Sequence, residues 1–338
     1  MQYIRKKVIK GIEYYYFEFP FRTTEGKRIL FTRYLGKKLL SQEELKEKLK
    51  GYFEEIGKIA AQKMGKEILD YFPPNGIQRI ESTRAWYHFI NHELNENEFK
   101  LFKDLFVTLF VLNSNRAEGS RVTRGDIEKI INKRKKPRTK IDIEIVNSLD
   151  AINFAFSKDM KWNSASLRKI HMLLFKGIDD EIAGKYKAAN NVVGAGGIAS
   201  ITTPKEKVKE EINMLISWLK GRMKKEYTPI ISLKFHWKFE QIHPFQDGNG
   251  RVGRILLNAL LMKSFFMPVI FFSENHRSYS NALAKAIERR ESKLAKYFVE
   301  QLKKTGKMID EYKKEGIIKG GSSSIGRWEI QKGRIRIY

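Results

Sequence analysis

Apolar residues recur along most of the chain at the three- and four-residue spacing of helices that bury one face. This spacing predicts a helix from 95 to the turn at Gly119 and further helices over 141–156, 167–174 and 230–239, among others. Residues 1–35 differ, because aromatic and β-branched positions alternate there with charged ones, which predicts three antiparallel strands. A mainly α protein with a small antiparallel sheet at its start is therefore expected.

Breaks in the pattern predict the division of the chain. Ser41 followed by Glu44 is a capping box, and the helix that it opens is expected to run toward Leu69. The Pro-Pro-Asn-Gly run at 73–76 ends that region. We predict a sheet-and-helix region of unknown role at 1–75, a helical catalytic domain at 76–305, and a basic tail at 306–338 with a candidate hairpin.

The amino-acid composition excludes several classes of protein and of catalytic site. With 338 residues, 42% of them apolar, the chain can bury a large core. The absence of cysteine excludes disulfides, thiolate metal sites and cysteine nucleophiles. No secretory signal or membrane span is recognisable, because the long apolar runs carry charged residues. A cytoplasmic location without a membrane partner is the expectation.

The charge balance leaves one question open. The chain has 65 basic and 39 acidic residues, a net charge of +26. The excess is spread along the chain, and the one dense block, at 133–140, is predicted to be a loop. A solvated basic surface is the favoured interpretation, and a nucleic-acid partner is the alternative.

One stretch, from Ile242 to Arg254, concentrates the chemistry. It lies between two apolar helices, and Pro244 ends the first of them. Gly248 and Gly250 allow the backbone to curl so that several amides point into one concavity at the start of the next helix. Such a concavity binds phosphate.

The side chains around this concavity suit phosphate transfer. A histidine can accept a proton near neutral pH, a carboxylate can hold a divalent cation, and two arginines can bind outer phosphates. These residues are His243, Asp247, Arg251 and Arg254.

The stretch resembles the signature of the Fic family, His-x-Phe-x-[Asp/Glu]-Gly-Asn-Gly-Arg-x-x-Arg, and matches it at every fixed position. Fic proteins mostly transfer AMP from ATP to a hydroxyl side chain of a target protein. The resemblance implies a Fic-type helical core with a β-hairpin flap. It also implies His243 as base, Asp247 as Mg²⁺ ligand, and an ATP-phosphate site formed by Gly248, Asn249, Gly250, Arg251 and Arg254.

A second resemblance concerns inhibition. Ser114, Glu118 and Gly119 match the motif [Ser/Thr]-x-x-x-Glu-[Gly/Asn] that some Fic proteins carry before their core. Ser114 and Glu118 share one helical face, since they are four residues apart. The resemblance implies that Glu118 pairs with Arg254 and so occupies the guanidinium that the γ-phosphate needs.

Other positions are implied less directly. A hairpin around Val192, Val193 and Ile198 is similar to the family's flap, which aligns the target by strand addition. Asn258 and Tyr279 match family positions near the nucleotide base. Ser280 stands where many relatives have a second tyrosine, so the base preference stays open.

Two further histidines are predicted to be structural. His171 has no partners nearby in the sequence that would complete a catalytic set. His236 lies two helical turns, about 10 Å, from His243, which is too far for a shared metal ion.

The favoured function is therefore protein adenylyltransferase, with ATP and Mg²⁺, acting on a hydroxyl-bearing target protein or on itself. Three alternatives stay open at this point: removal of AMP from modified protein, transfer of another nucleotide, and a nucleic-acid-binding regulator. A homodimer is also compatible with the sequence.

Overall fold

The computed structural model describes residues 3–22, 28–93, 96–132, 136–195, 198–223 and 225–314. Within these ranges the chain is mainly helical, as expected. The strands are β1 Ile4–Ile9, β2 Ile12–Arg22, β3 Arg28–Gly36, β4 Val192–Ala195 and β5 Ile198–Ile201. The helices are α1 Gln42–Gln62, α2 Lys66–Tyr71, α3 Pro74–Glu93, α4 Glu96–Ala117, α5 Arg124–Ile131, α6 Lys140–Ala155, α7 Ser164–Phe175, α8 Val208–Arg222, α9 Thr228–Ile242, α10 Asn249–Lys263, α11 His276–Ile287 and α12 Ser292–Lys314.

The first three strands form the expected antiparallel sheet in the order β1-β2-β3. Phe19 pairs with Phe31 across β2 and β3, and Ile4 pairs with Phe17 across β1 and β2. The inward aromatic side chains of this sheet pack on α1, where Phe53 lies 6.1 Å from Phe17 between ring centroids. The tyrosine-rich strand thus serves mainly to pack the sheet.

Helix α1 begins at the predicted place but ends earlier than expected. The capping box of Ser41 and Glu44 is present, with both hydrogen bonds made. The helix ends at Gln62, however, and a new helix, α2, begins at Lys66 after Gly65. The expectation of one helix to Leu69 was therefore wrong. The turn between α1 and α2 lets Met64, in the turn, and Ile68, in α2, both pack in the main core.

Helix α3 belongs to both halves of the molecule. Its Ala85 is part of the core under the sheet, whereas Ile77 and Ile80 are part of the main helical core. Trp86 and Phe89 pack against both. The predicted boundary at 75 therefore coincides with a helix start but not with a separation between two cores.

The last helix also crosses a predicted boundary. Helix α12 continues past residue 306 to Lys314, because Thr305 and Ile309 are fully buried and give it a packing face beyond Gly306. The tail at 315–338, with its predicted hairpin, lies outside the described residues.

Helices α9 and α10 form the centre of the main core. Helix α10 packs against α4, α6, α7 and α9, and Leu256, Leu257 and Leu261 are fully buried. The β4–β5 hairpin is present as predicted, with Val192 paired to Ile201. Across the part of the chain that is described, no helix combines the length and apolarity needed to cross a bilayer.

Gly57 is expected to control the docking of α1 on α3. A side chain at Gly57 would overlap Ser82 Oγ and the backbone carbonyl of Gln78, and the carbonyl cannot move without shifting α3. We expect Gly57→Ala to lower the free energy of unfolding by about 1–3 kcal/mol. Urea denaturation measures this.

Gly51 provides the matched control in the same helix. It is exposed, and a Cβ there would meet nothing within 4 Å. Gly51→Ala should therefore raise the free energy of unfolding by about 0.5–1 kcal/mol through helix propensity. Equal effects of the two substitutions would contradict the close approach of α1 to α3.

Candidate active site

The loop that joins α9 to α10 adopts the curled backbone that its glycines predict. His243 ends α9 in the left-handed region at φ 50°, and Gly248 precedes α10 at φ 75°. Helix α10 then begins at Asn249, so the amides of its first turn have no partner within the helix. This helix start can bind an anion, as the sequence suggested.

Asn249 holds the loop with its side chain. Its Oδ1 accepts from the Phe245 amide at 2.9 Å, and its Nδ2 donates to the Phe245 carbonyl at 2.9 Å. The residue is 1% exposed. Its side chain therefore fixes the loop, and only its backbone amide is left for a phosphate.

His171 holds the same loop from the side of α7. Its ring stacks on Phe245 with centroids 3.9 Å apart and planes 9° apart. Nδ1 accepts from the Gly184 amide at 2.9 Å, so Nε2 carries the hydrogen and donates to the Asp247 carbonyl at 3.0 Å. The structural role predicted for His171 is thus specific: it positions the phosphate-binding loop.

His243 has the hydrogen-bonding pattern and the protonation state that a base requires. Its Nδ1 lies 3.4 Å from the Glu240 carbonyl, which can only accept, so Nδ1 donates and Nε2 keeps its lone pair. Burial lowers the pKa of His243 to about 4, and the nearby Lys187 ammonium acts in the same direction. The imidazole is therefore neutral at physiological pH.

Asp247 and Arg251 lie at the mouth of the loop. The Asp247 side chain is 59% exposed, and one of its oxygens lies 3.3 Å from an Arg251 nitrogen. Its other oxygen accepts from the Gly248 amide. The Arg251 guanidinium lies 4.7 Å above the Phe175 ring, which fixes its direction.

Arg254 is buried and paired with Glu118, as the resemblance implied. One guanidinium nitrogen lies 2.7 Å from Glu118 Oε1, and Arg254 also donates to the hydroxyl and the carbonyl of Ser114. Burial of Glu118 would raise its pKa, but Arg254 outweighs this and lowers the pKa below the usual range. The pair is therefore ionic at neutral pH.

Gly250 allows this carboxylate to reach the start of α10. A Cβ at Gly250 would lie 2.5 Å from Glu118 Oε1 and 2.9 Å from an Arg254 nitrogen. Gly119 takes a left-handed φ of 86° where α4 ends, which turns the chain away after Glu118. The two glycines explain how an acidic side chain approaches an anion-binding helix start.

Asn258 and Tyr279 are more enclosed than a base contact would require. Asn258 exchanges two hydrogen bonds with the backbone of Val269 and donates to the Arg254 carbonyl, so both of its amide hydrogens are used. The resemblance places Asn258 near the nucleotide base, and this role stays a prediction. Tyr279 is 5% exposed, and its hydroxyl lies 2.8 Å from His236 Nε2.

His236 is a core residue, as predicted, and it has an unexpected neighbour. Glu240, one turn along α9, is 8% exposed, and its Oε1 has no hydrogen-bond partner among the described residues. Burial raises the pKa of Glu240 to about 8, so this carboxyl is largely protonated at pH 7. Both side chains lie where a Cβ at Gly253 would be. The sequence signal was that Glu240 lies four residues from His236 on the same face of α9.

The flap residues are described only through their backbone. Val193 pairs with Ser200, and Ala195 pairs with Ile198, in an antiparallel hairpin. The side chains of Val192, Val193 and Ile198 lie outside what the structure describes. Their contact with a target stays a prediction.

Asp247 is the candidate metal ligand at the phosphate concavity. Within the described ranges, no group of three or more His, Asp or Glu side chains could hold a metal ion. Mg²⁺ is often bound by one or two carboxylates together with substrate phosphates. The exposed Asp247 at the edge of the phosphate concavity fits that kind of site.

Comparison with known proteins confirms the resemblance. Residues 161–261, from α7 through most of α10, match the sequence model of the Fic/DOC family. A probable protein adenylyltransferase of Aquifex aeolicus is 34% identical over 132 residues, which is 39% of each chain. Protein adenylyltransferase Fic of Nematostella vectensis is 34% identical over 99 residues, 29% of this chain and 22% of the relative. The match thus spans less than half the length of these relatives.

Solved structures show the same fold. A Fic-domain signaling protein of Bacteroides thetaiotaomicron superposes with a TM-score of 0.61 at 21% identity, covering 74% of this chain and 99% of that one. Fic-1 of Caenorhabditis elegans superposes with a TM-score of 0.61 at 20% identity, covering 81% of this chain and 86% of that one. The helical Fic fold expected from the motif is confirmed.

The buried histidines give a prediction about acid stability. Burial lowers the pKa of His171 to about 4 and that of His236 to about 3. The unfolded chain, with histidine pKa values near 6.5, therefore binds protons that the folded chain excludes. Stability should be complete above pH 6.5 and fall as the pH drops, by about 2 kcal/mol for each such histidine at pH 5.

The contribution of one histidine can be isolated by urea denaturation at pH 7.5 and pH 5.0. His171→Gln should lose about 2 kcal/mol less between the two pH values than the wild type does, because it has no imidazole to protonate. The same loss in both proteins would show that His171 is not held neutral.

Proposed function

We propose that this chain is a protein adenylyltransferase that moves AMP from ATP to a Ser, Thr or Tyr hydroxyl of a target protein. The observation that carries the proposal is a neutral imidazole with a free Nε2 beside the amide-lined start of α10. The relatives named protein adenylyltransferases support it, although they match over part of their length. The family match at residues 161–261 includes the whole stretch that carries the motif.

In the proposed reaction, His243 Nε2 takes the proton of the target hydroxyl as that oxygen attacks the α-phosphorus. A new P–O bond forms to the target, the bond from the α-phosphorus to the bridging oxygen breaks, and pyrophosphate leaves. The amides of Asn249 and Gly250 stabilise the charge that develops on the phosphate oxygens, and the Gly248 amide joins them once it leaves Asp247 Oδ1. Arg251 and Arg254 orient the β- and γ-phosphates.

Asp247 would hold Mg²⁺ with its exposed carboxylate. When bound there, the cation would neutralise phosphate charge. Asp247 already pairs with Arg251, so both groups are oriented toward the same side of the loop.

We also propose that the resting protein is autoinhibited by Glu118. The Glu118 carboxylate occupies the Arg254 guanidinium that would bind the γ-phosphate. A triphosphate arriving there would meet a second negative charge close to Gly250. Nucleotide would then bind without its phosphates in position for transfer.

The preference for a nucleotide base and the direction of the reaction are tested by separate measurements. Asn258 is bonded to the Val269 backbone, and Ser280 stands where many Fic proteins have a second tyrosine, so the base preference has to be measured. Competition between labelled ATP and unlabelled GTP, CTP and UTP measures the preference. Release of AMP from pre-modified protein measures the reverse activity.

His243→Ala should abolish transfer while leaving nucleotide binding. Removal of the base is expected to lower the rate by about 10²- to 10⁴-fold, because the target hydroxyl then has no proton acceptor. Incubation with α-labelled ATP measures transfer, and calorimetry measures ATP binding. Undiminished labelling by His243→Ala would refute its role as base.

Glu118→Gly should activate the protein. Freeing Arg254 is expected to raise labelling, including self-labelling, on the order of 10- to 100-fold. Glu118→Gln, which keeps the shape and removes the charge, should give a rise in the same direction. Labelling of total protein by α-labelled ATP is the measurement.

Glu144→Gln is the matched control for this substitution. Glu144 accepts a hydrogen bond from Ser120 at the same turn, 2.7 Å away, but does not contact Arg254. It should label at the wild-type rate. If Glu118→Gly also labels at that rate, the proposed inhibition is wrong.

A further inference from the structure

Lys187 is a buried lysine between the flap and the catalytic loop. It is 4% exposed, although most lysines lie in solvent. Its Nζ donates to Asn191 Oδ1 at 2.8 Å and to Thr202 Oγ1 at 2.7 Å, and lies 3.4 Å from the Ile242 carbonyl. Buried cations require such acceptors, and this set is uncharged.

The first two acceptors close the base of the flap. Asn191 immediately precedes β4, and Thr202 immediately follows β5. The Thr202 hydroxyl donates to the Asn191 carbonyl at 2.9 Å. One ammonium group therefore holds both ends of the hairpin.

The remaining contacts reach the backbone on both sides of His243. Lys187 approaches the Ile242 carbonyl with its side chain, and its own amide donates to the Pro244 carbonyl at 2.9 Å. Asn191 Nδ2 adds a bond to the Phe245 carbonyl at 3.3 Å. The residue before His243 and the two after it are thus tied to the flap base.

The charge of Lys187 also acts on the imidazole. It is the nearby cation that adds to burial in lowering the pKa of His243. Burial lowers the pKa of Lys187 itself, and its three oxygen acceptors favour the charged form. The lysine can therefore influence both the position and the protonation of the base.

We propose that Lys187 is a positioning residue for the proposed transfer, which clamps the flap base to the His243 loop and places its positive charge near the imidazole. The inference rests on the proposed function for its catalytic consequence. The clamp itself is a property of the folded chain and can be measured without activity.

The test uses three substitutions in the full chain carrying Glu118→Gly. Lys187→Met removes the charge and the donors at similar length, and Lys187→Arg keeps the charge. Lys185→Met is the matched control, since Lys185 is exposed and lies two residues away. Thermal unfolding of each variant reports on the fold.

The first readout is the titration of the His243 ring proton by NMR, with His243→Gln used to assign the signal. Lys187→Met should move the His243 midpoint upward by about half a pH unit or more, because a nearby cation is lost. Lys187→Arg and Lys185→Met should leave the midpoint in place. An unmoved midpoint in Lys187→Met would overturn the electrostatic part of the proposal.

The second readout is self-labelling with α-labelled ATP beside the calorimetric Kd for ATP. Lys187→Met should lower labelling at pH 7.5 by about 10-fold or more with the Kd unchanged, since only the base and the flap are displaced. Lys187→Arg should restore part of the rate. Equal loss of labelling and ATP affinity, or labelling equal to Lys185→Met, would overturn the positioning role.

The two readouts also separate this inference from the proposed function. If Glu118→Gly protein with Lys187 intact labels nothing, the proposed transferase activity fails. The NMR midpoints of His243 then still decide whether Lys187 acts on the imidazole.

Discussion

A buried arginine must be paired, and much of this structure follows from the pairing of Arg254. Its guanidinium is 3% exposed and lies within the core that α4 and α10 share. Its partners, Ser114 and Glu118, come from a helix end about 140 residues earlier in the chain. An unpaired buried charge would cost several kcal/mol, so the contacts of Arg254 with Ser114 and Glu118 also stabilise the packing of α4 on α10. The contact proposed to be inhibitory is thus also a structural contact.

The same reasoning applies to the loop at 243–248. Three of its carbonyls accept hydrogen bonds from residues outside the loop. His171 supplies one to Asp247, Asn249 supplies one to Phe245, and the Lys187 amide supplies one to Pro244. The loop is therefore rigid because each supporting residue comes from a different element. A base held in this way loses little freedom when a substrate arrives.

Local signals in the sequence predicted the parts of the fold that depend on local chemistry. The capping box at Ser41, the three-stranded sheet, and the end of α9 before Pro244 follow from side chains within a few residues of each other. The motif also predicted which groups meet at the start of α10. Pairings across more than a hundred residues were available only through the family resemblance, as with Glu118 and Arg254. No role was predicted for Glu240 and Lys187, because their importance lies in their burial, which spacing along the sequence does not reveal.

The protonation state of the His243 imidazole indicates which part of the site can regulate the proposed transfer. Burial, with Lys187 acting in the same direction, lowers the pKa of His243 to about 4, so changes of pH in the physiological range cannot switch the proposed base on or off. The contact that can change is the ion pair between Glu118 and Arg254. Glu118 can leave the guanidinium, because its side chain is 25% exposed whereas that of Arg254 is 4% exposed. An incoming phosphate and the Glu118 carboxylate then compete for one cation, and the more mobile partner must be the one that moves. Regulation of the proposed transfer therefore belongs to the end of α4, and anything that displaces this turn would favour nucleotide in the reactive pose.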